Sequence, residues 1–196
     1  MSTAMLASVM ALAACSGDGE DPAPPIDPTD AVTDNGPTED PATVPPEDLP
    51  EPLADLVSEP VYPDAATEFT PDGAEAFVHY VIEATNWAYA TGDVSHLLDY
   101  CSEESGYCTS VLESTDQMAS EGRTRYGGAV SIDIEEVEIY VDEQDAFVNG
   151  IILIDSFVDL DDHGAVMDEI DPVELSGTLQ IQFTDNHWTL LLAGGE

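Results

Sequence analysis

The hydrophobic pattern of this chain changes its period once, and that change limits the folds it can adopt. Between Thr70 and Gly92, apolar side chains recur every three or four residues, which is typical of one buried helix face. From Ile132 onward, apolar and polar side chains alternate, which is typical of strands with one face in solvent. Helices followed by antiparallel strands indicate an α+β fold, with the N-terminal helices packed on a four-stranded antiparallel sheet.

The first helix carries clear signals at both ends. Thr70 is a favourable N-cap, Pro71 occupies the first helical position, and Gly92 is a favourable C-terminal cap. Asp93 can cap a short second helix, and a third helix is predicted from about residue 109 to residue 121. On the first helix, we expect three polar side chains to face outward: His79, Glu83 and Asn86.

Four strands are predicted in the second half of the chain. Residues 132–141 form one strand, or two joined by a bulge at Glu135 and Glu136. Residues 146–158 are apolar on both faces, which indicates a central strand. Residues 173–183 alternate cleanly, and Asp185 and Asn186 then predict a tight hairpin into the last strand at 188–192.

An apolar run at the N-terminus predicts export. Residues 4–14 carry no charge, and they are too few to span a bilayer as a helix. The run ends in Leu12, Ala13, Ala14 and Cys15 and resembles a bacterial lipobox, although residues 1–5 contain no Lys or Arg. The resemblance implies a signal peptide at 1–14 and acyl chains on Cys15 that hold the protein on the outer, extracytoplasmic face of the cell membrane. A buried helix of the mature fold is the alternative interpretation.

Prolines and acids dominate the segment after Cys15. Thirteen of the fourteen prolines lie between Pro22 and Pro71, and fifteen acidic residues lie between Asp18 and Glu68. Such a segment buries too little apolar surface to offset its ordering entropy. We therefore expect residues 15–68 to be a lipidated cysteine followed by a disordered tether, and residues 69–196 to be the folded domain.

The charge of the chain excludes one class of partner. Its 42 acidic residues against two arginines and no lysine give a formal charge of −40. Nucleic-acid affinity depends mostly on Lys and Arg that displace counterions, so we expect no nucleic-acid partner. Direct binding to bare anionic lipid headgroups is disfavoured for the same reason.

Two cysteines remain if Cys15 is acylated. Cys101 and Cys108 form an even pair in a chain expected to be exported, which favours a disulfide. A metal-binding pair or a nucleophilic thiol is the alternative. Neither a CxxC spacing nor a nearby histidine supports that alternative, and no metal site or cofactor is predicted.

The stretch from Tyr62 to Asp93, YPDAATEFTPDGAEAFVHYVIEATNWAYATGD, resembles the opening of an uncharacterised family of actinobacterial lipoproteins. The order of helices and sheet is also similar to the nuclear transport factor 2-like fold, a cone in which a long helix closes a curved sheet over a pocket. That fold hosts isomerases, dehydratases, polyketide cyclases and non-catalytic modules, so the resemblance implies no particular reaction.

A pocket in such a cone would be lined from the first helix. Tyr80, Trp87 and Tyr89 are the candidate lining residues, and Asp99 could supply a carboxylate for proton transfer. Aromatic residues at helical spacing are usually core, however, and Asp99 is most simply a surface residue. We therefore expect a lipid-anchored, non-catalytic module of the cell envelope that binds a small apolar ligand or an envelope protein. A pocket isomerase or dehydratase is the alternative.

An acidic loop raises the question of calcium. Asp159, Asp161 and Gly164 match the first, third and sixth positions of a calcium loop, but His163 and Ile170 occupy the fifth and twelfth. The EF-hand interpretation therefore fails. A looser site remains an alternative to a simple acidic hairpin, and it would use the four carboxylates Asp159, Asp161, Asp162 and Asp168.

Overall fold

The structure is a computed structural model that describes residues 44–195. The helices are α1 (Leu53–Leu56), α2 (Pro71–Thr91), α3 (Ser95–Leu98) and α4 (Gly106–Ser120), with 3-10 turns at Pro46–Asp48 and Asp64–Thr67. The strands are β1 (Thr124–Gly127), β2 (Val130–Tyr140), β3 (Asp145–Ile154), β4 (Phe157–Leu160), β5 (Val166–Ile170), β6 (Val173–Thr184) and β7 (His187–Gly195). In this part of the chain, no helix has the length and apolar character needed to cross a bilayer. The predicted signal peptide, Cys15 and the tether as far as residue 43 lie outside the described residues.

Helix α2 begins and ends where its capping residues predict. The Thr70 hydroxyl accepts a hydrogen bond from the Gly73 amide at 3.0 Å, and Gly92 ends the helix with a φ of 77°. One stripe of α2 is buried in the core against the sheet, and it contains Ala74, Phe77, Val78, Val81, Ala84 and Ala88. The predicted helical period is therefore confirmed as a packing face.

Asn86 does not face outward as predicted, whereas His79 and Glu83 do. Its side-chain amide donates to the carbonyl of Val130 and its side-chain carbonyl accepts from the amide of Val130, both at 2.8 Å. The two bonds satisfy the backbone N–H and C=O groups of the first residue of β2, and they fix α2 against the sheet. A polar side chain can therefore occupy the inner face when it pairs with a free strand end.

The four-stranded antiparallel sheet is confirmed, with the strand order β2-β3-β6-β7. The predicted bulge lies between Ile134 and Glu136 in β2. Asp185 and Asn186 form the predicted turn, with φ values of 52° and 64°. Helices pack on this sheet, so the predicted α+β fold of the domain is confirmed.

The prediction of one continuous strand over residues 146–158 is wrong. Strand β3 ends at Ile154, and after the exposed pair Asp155 and Ser156 the chain enters β4, which belongs to a second, three-stranded sheet ordered β1-β4-β5. Ser156 accepts a backbone hydrogen bond from Gly128 at 3.0 Å, which holds the crossing between the sheets. The apolar run continues because β3 is partly buried and β4 is fully buried, although the two strands lie in different sheets.

The packed domain takes in residues before position 69, where we expected it to begin. Leu53 and Ala66 are fully buried, and the Tyr62 ring stacks on Tyr100 with centroids 4.5 Å apart. The Gly127 amide donates to the Glu51 carbonyl at 2.8 Å, next to a β-bridge between Pro52 and Tyr126. Residues 51–67 therefore form a strap along the domain, because a few apolar side chains hold a segment that its composition alone would class as a tether.

The predicted disulfide between Cys101 and Cys108 is present. It joins the segment after α3 to the first turn of α4, which begins at Gly106. Cys108 is buried in the core at 2% exposure. The bond thus fixes the start of α4 against the rest of the domain.

Candidate functional site

A cavity of about 240 Å³ lies between the helices and the inner face of the four-stranded sheet. Helices α2 and α4 and all four strands of that sheet contribute to its wall. The lining residues are Ile82, Thr85, Tyr89, Tyr107, Val130, Ile152, Ile154, Leu175, Ser176, Gly177, Thr178, Leu179, Ala193 and Gly194. Most of this surface is apolar.

The local sequence explains why a space remains at this place. Ile82, Thr85 and Tyr89 recur at helical spacing on one side of α2, and Tyr107 enters from the first turn of α4. On the sheet, Gly177 lies between the inward positions of Leu175 and Leu179. The nearest neighbours of a Cβ at Gly177 would be the Ile152 side chain, at 3.0 Å, and the Gly194 carbonyl oxygen, at 3.4 Å. The missing side chain leaves part of the cavity open.

Thr85 and Tyr107 bring two hydroxyl groups to the wall of the cavity. The Tyr107 hydroxyl lies 2.8 Å from the hydroxyl of Thr85, which itself lies 2.9 Å from the Val81 carbonyl oxygen. Burial raises the pKa of Tyr107 to about 12. The phenol is therefore neutral at physiological pH.

None of the described residues that line the cavity is Asp, Glu, His, Lys or Arg. Asp99, the carboxylate considered for proton transfer, is exposed at the end of α3 and does not line the cavity. Proton abstraction at neutral pH needs a basic group within hydrogen-bond reach of the substrate. The cavity offers binding surface and hydroxyl groups, but no such base.

The three aromatic residues predicted to line a pocket are placed apart. Tyr89 lines the cavity. Tyr80 is 4% exposed, donates to the His96 carbonyl at 2.9 Å and packs its ring edge-on against Tyr62 and Tyr100. Trp87 meets the ring of His96 edge-on, also away from the cavity.

Thr85 and Tyr107 were not predicted as site residues. Thr85 lies on the apolar side of α2, and nothing in the sequence indicates that its hydroxyl contacts a side chain on another helix. Tyr107 immediately precedes the disulfide cysteine Cys108. The predicted disulfide indicates that the start of α4 is held in place, but not that Tyr107 faces a cavity.

The carboxylates of the acidic loop are engaged by protein groups. Asp159 is 1% exposed and accepts from both Nε and Nη2 of Arg125 at 2.8 Å. Asp161 accepts from the amides of His163 and Ala165, and the Ala165 hydrogen bond contributes most to holding its pKa below the usual value. In the part of the chain that the structure describes, no group of three or more His, Cys, Asp or Glu side chains could hold a metal ion. The looser calcium site is therefore not formed.

A second depression is larger, about 540 Å³, and lies open on the outer face of the four-stranded sheet. Some of its polar side chains are hydrogen-bonded to neighbouring side chains. Thr178 donates to Asn149 at 2.6 Å, and the Gln180 amide donates to Asp145 at 3.1 Å. Because this depression is more open and its wall is more polar, the smaller apolar cavity is the better candidate site.

The family model described as "Family of unknown function (DUF6318)" matches residues 51–193. The chain belongs to DUF6318. The first matched residue coincides with the start of the packed strap at Glu51, so the DUF6318 region and the folded domain share their N-terminal boundary. No curated protein matches the sequence.

Solved structures similar to the DUF6318 domain include the intermembrane space region of the chloroplast protein ARC6. It matches with a TM-score of 0.51 and 12% identity, over 64% of this chain and 95% of that one. An NTF-2 like protein of unknown function from Shewanella oneidensis matches with a TM-score of 0.40 and 12% identity, over 62% and 98% of the two chains. A protein of unknown function with a cystatin-like fold from Nostoc punctiforme matches with a TM-score of 0.36 and 11% identity, over 64% and 90%. At these identities, the likeness to ARC6 concerns the fold alone.

Proposed function

We propose that the protein is an exported, lipid-anchored, non-catalytic binding module of the cell envelope, and that its cavity holds a small, largely apolar molecule. The observation that carries this proposal is an apolar cavity of about 240 Å³ whose described lining contains no charged side chain. Apolar pockets with a few placed polar groups are the usual form of small-molecule sites.

The size of the cavity limits the ligand. An engineered apolar cavity of about 150 Å³ holds benzene, and pockets for drug-sized molecules begin at roughly 300 Å³. A volume of about 240 Å³ lies between these two, which favours a ligand somewhat larger than one aromatic ring.

The binding interpretation fits the site better than the isomerase or dehydratase alternative. Those reactions need a general base, and the pKa of Tyr107, raised to about 12, makes this phenol a poor base at neutral pH. The nearest polar partner is another hydroxyl, that of Thr85. A ligand can stay bound while the hydroxyls of Tyr107 and Thr85 both keep their protons.

Export is supported by sequence features and by one feature of the domain. Cys15 follows the apolar run of residues 4–14, and acyl chains on it would hold the protein on the outer face of the membrane. The Cys101–Cys108 disulfide is typical of an oxidising compartment outside the cytosol.

Binding is tested by titrating the full chain with naphthalene, 1-naphthol and 1-methoxynaphthalene. The chain carries Cys15→Ser so that no acyl chain or detergent competes for the cavity. We expect at least one of these neutral probes to bind one to one with a Kd in the micromolar range, as about ten well-buried atoms allow.

Two glycine variants locate the binding. Gly177→Val places its side chain in the cavity and should abolish probe binding, and the milder Gly177→Ala should weaken it. Gly106→Val is the matched control, because a Cβ at that position meets no atom within 4 Å. If no probe binds the protein, or if binding survives in Gly177→Val, the proposal is wrong.

The lipid anchor has its own test. Cells that express the chain are fed radiolabelled palmitate, and the label should appear in the protein and be lost in Cys15→Ser. Cys101→Ser should keep the label, because it leaves the predicted acylation site intact. Equal labelling of the Cys15→Ser chain would refute the anchor without affecting the binding proposal.

A further inference from the structure

We propose that the cavity selects a neutral ligand with one hydrogen-bond donor, a hydroxyl or an N–H group, attached to an apolar body. This inference rests on the proposed binding function and names the chemistry of its ligand. The structural basis is the pair of hydroxyl groups of Thr85 and Tyr107, whose protons are already committed within the protein.

The hydrogen bonds of Thr85 fix the direction of the pair. Its hydroxyl has one proton, and its oxygen lies 2.9 Å from the Val81 carbonyl, which can only accept. The proton of Thr85 therefore goes to Val81. Since Tyr107 lies 2.8 Å from the same Thr85 oxygen, the Tyr107 hydroxyl must be the donor in that contact.

Because Tyr107 donates its proton to Thr85, its hydroxyl can act toward a ligand only as a hydrogen-bond acceptor. Its phenol oxygen keeps lone-pair capacity after it donates to Thr85. Burial raises the pKa of Tyr107 to about 12, so the phenol keeps its proton at neutral pH. The direction of its hydrogen bond to Thr85 is therefore preserved. A ligand hydroxyl or N–H can satisfy this oxygen, whereas an ether, ester or ketone cannot.

Several other groups in the wall do not supply a donor. Strand β6 pairs with both β3 and β7 from Gly177 to Gln182, so its backbone groups there are used in the sheet. Ser176 and Thr178 alternate with the inward-facing Leu175, Gly177 and Leu179, so their side chains lie on the outer face. There Thr178 donates to Asn149.

Charge excludes an ionised ligand. An anion would need a cation, and no described lining residue carries one. The two arginines of the chain are engaged elsewhere, Arg125 by Asp159 and Arg123 by Glu121. A cationic ligand would also lack a partner, because no carboxylate lines the cavity. Burying an unpaired charge costs far more than burying a neutral polar group.

The test compares three probes with the same ring system in the full chain carrying Cys15→Ser: 1-naphthol, 1-methoxynaphthalene and 1-naphthoate. We expect 1-naphthol to bind roughly tenfold more tightly than 1-methoxynaphthalene, about the ratio that one buried hydrogen bond gives. The anion 1-naphthoate should bind most weakly. Binding is measured by titration calorimetry at neutral pH.

Two variants separate the role of each hydroxyl. Tyr107→Phe removes the acceptor and should bring the 1-naphthol to 1-methoxynaphthalene ratio close to one. Thr85→Val removes the group that takes the Tyr107 proton, so Tyr107 can donate to an ether oxygen and 1-methoxynaphthalene should gain affinity. This shift in preference is a result that mere loosening of the cavity would not produce. Melting temperatures establish that each variant is folded, and Thr85→Val tests the inference even if Tyr107→Phe does not fold.

The outcomes distinguish the inference from the function on which it rests. If 1-methoxynaphthalene binds the Cys15→Ser chain as tightly as 1-naphthol, or if Thr85→Val leaves the ratio unchanged, the donor preference is wrong and the binding function stands. If 1-naphthoate binds most tightly, the exclusion of anions is wrong. If none of the neutral probes binds, the binding function itself is wrong.

Discussion

Asp159 is charged and yet almost completely buried, and Arg125 explains how the fold accommodates it. The guanidinium group donates two hydrogen bonds to the carboxylate, each 2.8 Å long. It also lies over the rings of Phe157 and Tyr89, at 3.8 Å and 4.8 Å from their centroids. Because Tyr89 lines the cavity, this pair connects the second sheet to the candidate site.

Removing one partner of that pair should strongly destabilise the domain. Arg125→Met leaves a buried carboxylate without its cation, and we expect the free energy of unfolding to fall by about 3 to 5 kcal/mol. The double variant Arg125→Met with Asp159→Leu should recover most of this loss. Urea unfolding measures both. Asp162→Asn is the control for loss of an exposed acid and should change stability by less than about 0.5 kcal/mol. An unchanged unfolding midpoint in Arg125→Met would contradict this account.

Two tyrosines make stability sensitive to alkaline pH. Burial raises the pKa of Tyr80 and of Tyr107 from 10.0 to about 12. The folded protein therefore holds these protons more tightly than the unfolded chain does. Their contribution is complete below pH 10 and is lost as the pH rises from about 10 to 12. Urea unfolding across this range should show the decline, and Tyr107→Phe should make it shallower. Constant stability across this window would show that the phenols are not held as described.

At the scale of elements, the capping residues and the helical period of α2 could be read from sequence because these signals are local. Strands β1 and β5 could not be predicted. Their sequences, TRYG and VMDEI, are short and carry no clear alternation, and each strand pairs with β4 rather than with a neighbour in the sequence. The Thr85–Tyr107 contact joins two helices across 22 positions, and no spacing in one sequence encodes it.

The disulfide is expected to stabilise the domain and to position Tyr107. Replacing both Cys101 and Cys108 by serine should lower the free energy of unfolding by about 2 to 3 kcal/mol. Since Tyr107 immediately precedes Cys108, 1-naphthol affinity should also fall. Thermal unfolding and titration measure the two effects, and reduction with dithiothreitol should reproduce both. Unchanged stability and affinity after reduction would exclude a role for the bond in holding α4.

At the scale of the whole molecule, the charge divides between two regions. Residues 51–196 carry 32 acidic residues against two arginines, although this is the part that must stay compact. Self-repulsion of this size opposes folding. Most of the acids lie on the exposed surface, and those that are engaged include Asp159 with Arg125, Asp161 with a backbone amide and Asp145 with a glutamine.

Salt should therefore stabilise the protein. Raising sodium chloride from millimolar to molar concentration screens repulsion among exposed carboxylates, and we expect the melting temperature to rise markedly. Sucrose at equal osmolality is the control for preferential exclusion, and it should give a smaller rise. A melting temperature that does not change with salt would show that repulsion among the surface charges does not destabilise the fold.

The strap at residues 51–67 also determines how mechanical load would enter the domain. A pull on the chain ahead of Glu51 first meets its hydrogen bond with Gly127 and the adjacent Pro52–Tyr126 bridge, and then the buried side chain of Leu53. The hydrogen bond and the bridge lie at β1, in the sheet that does not line the cavity. Tension along the chain would therefore be borne first at β1, before it reaches the four-stranded sheet whose inner face lines the cavity.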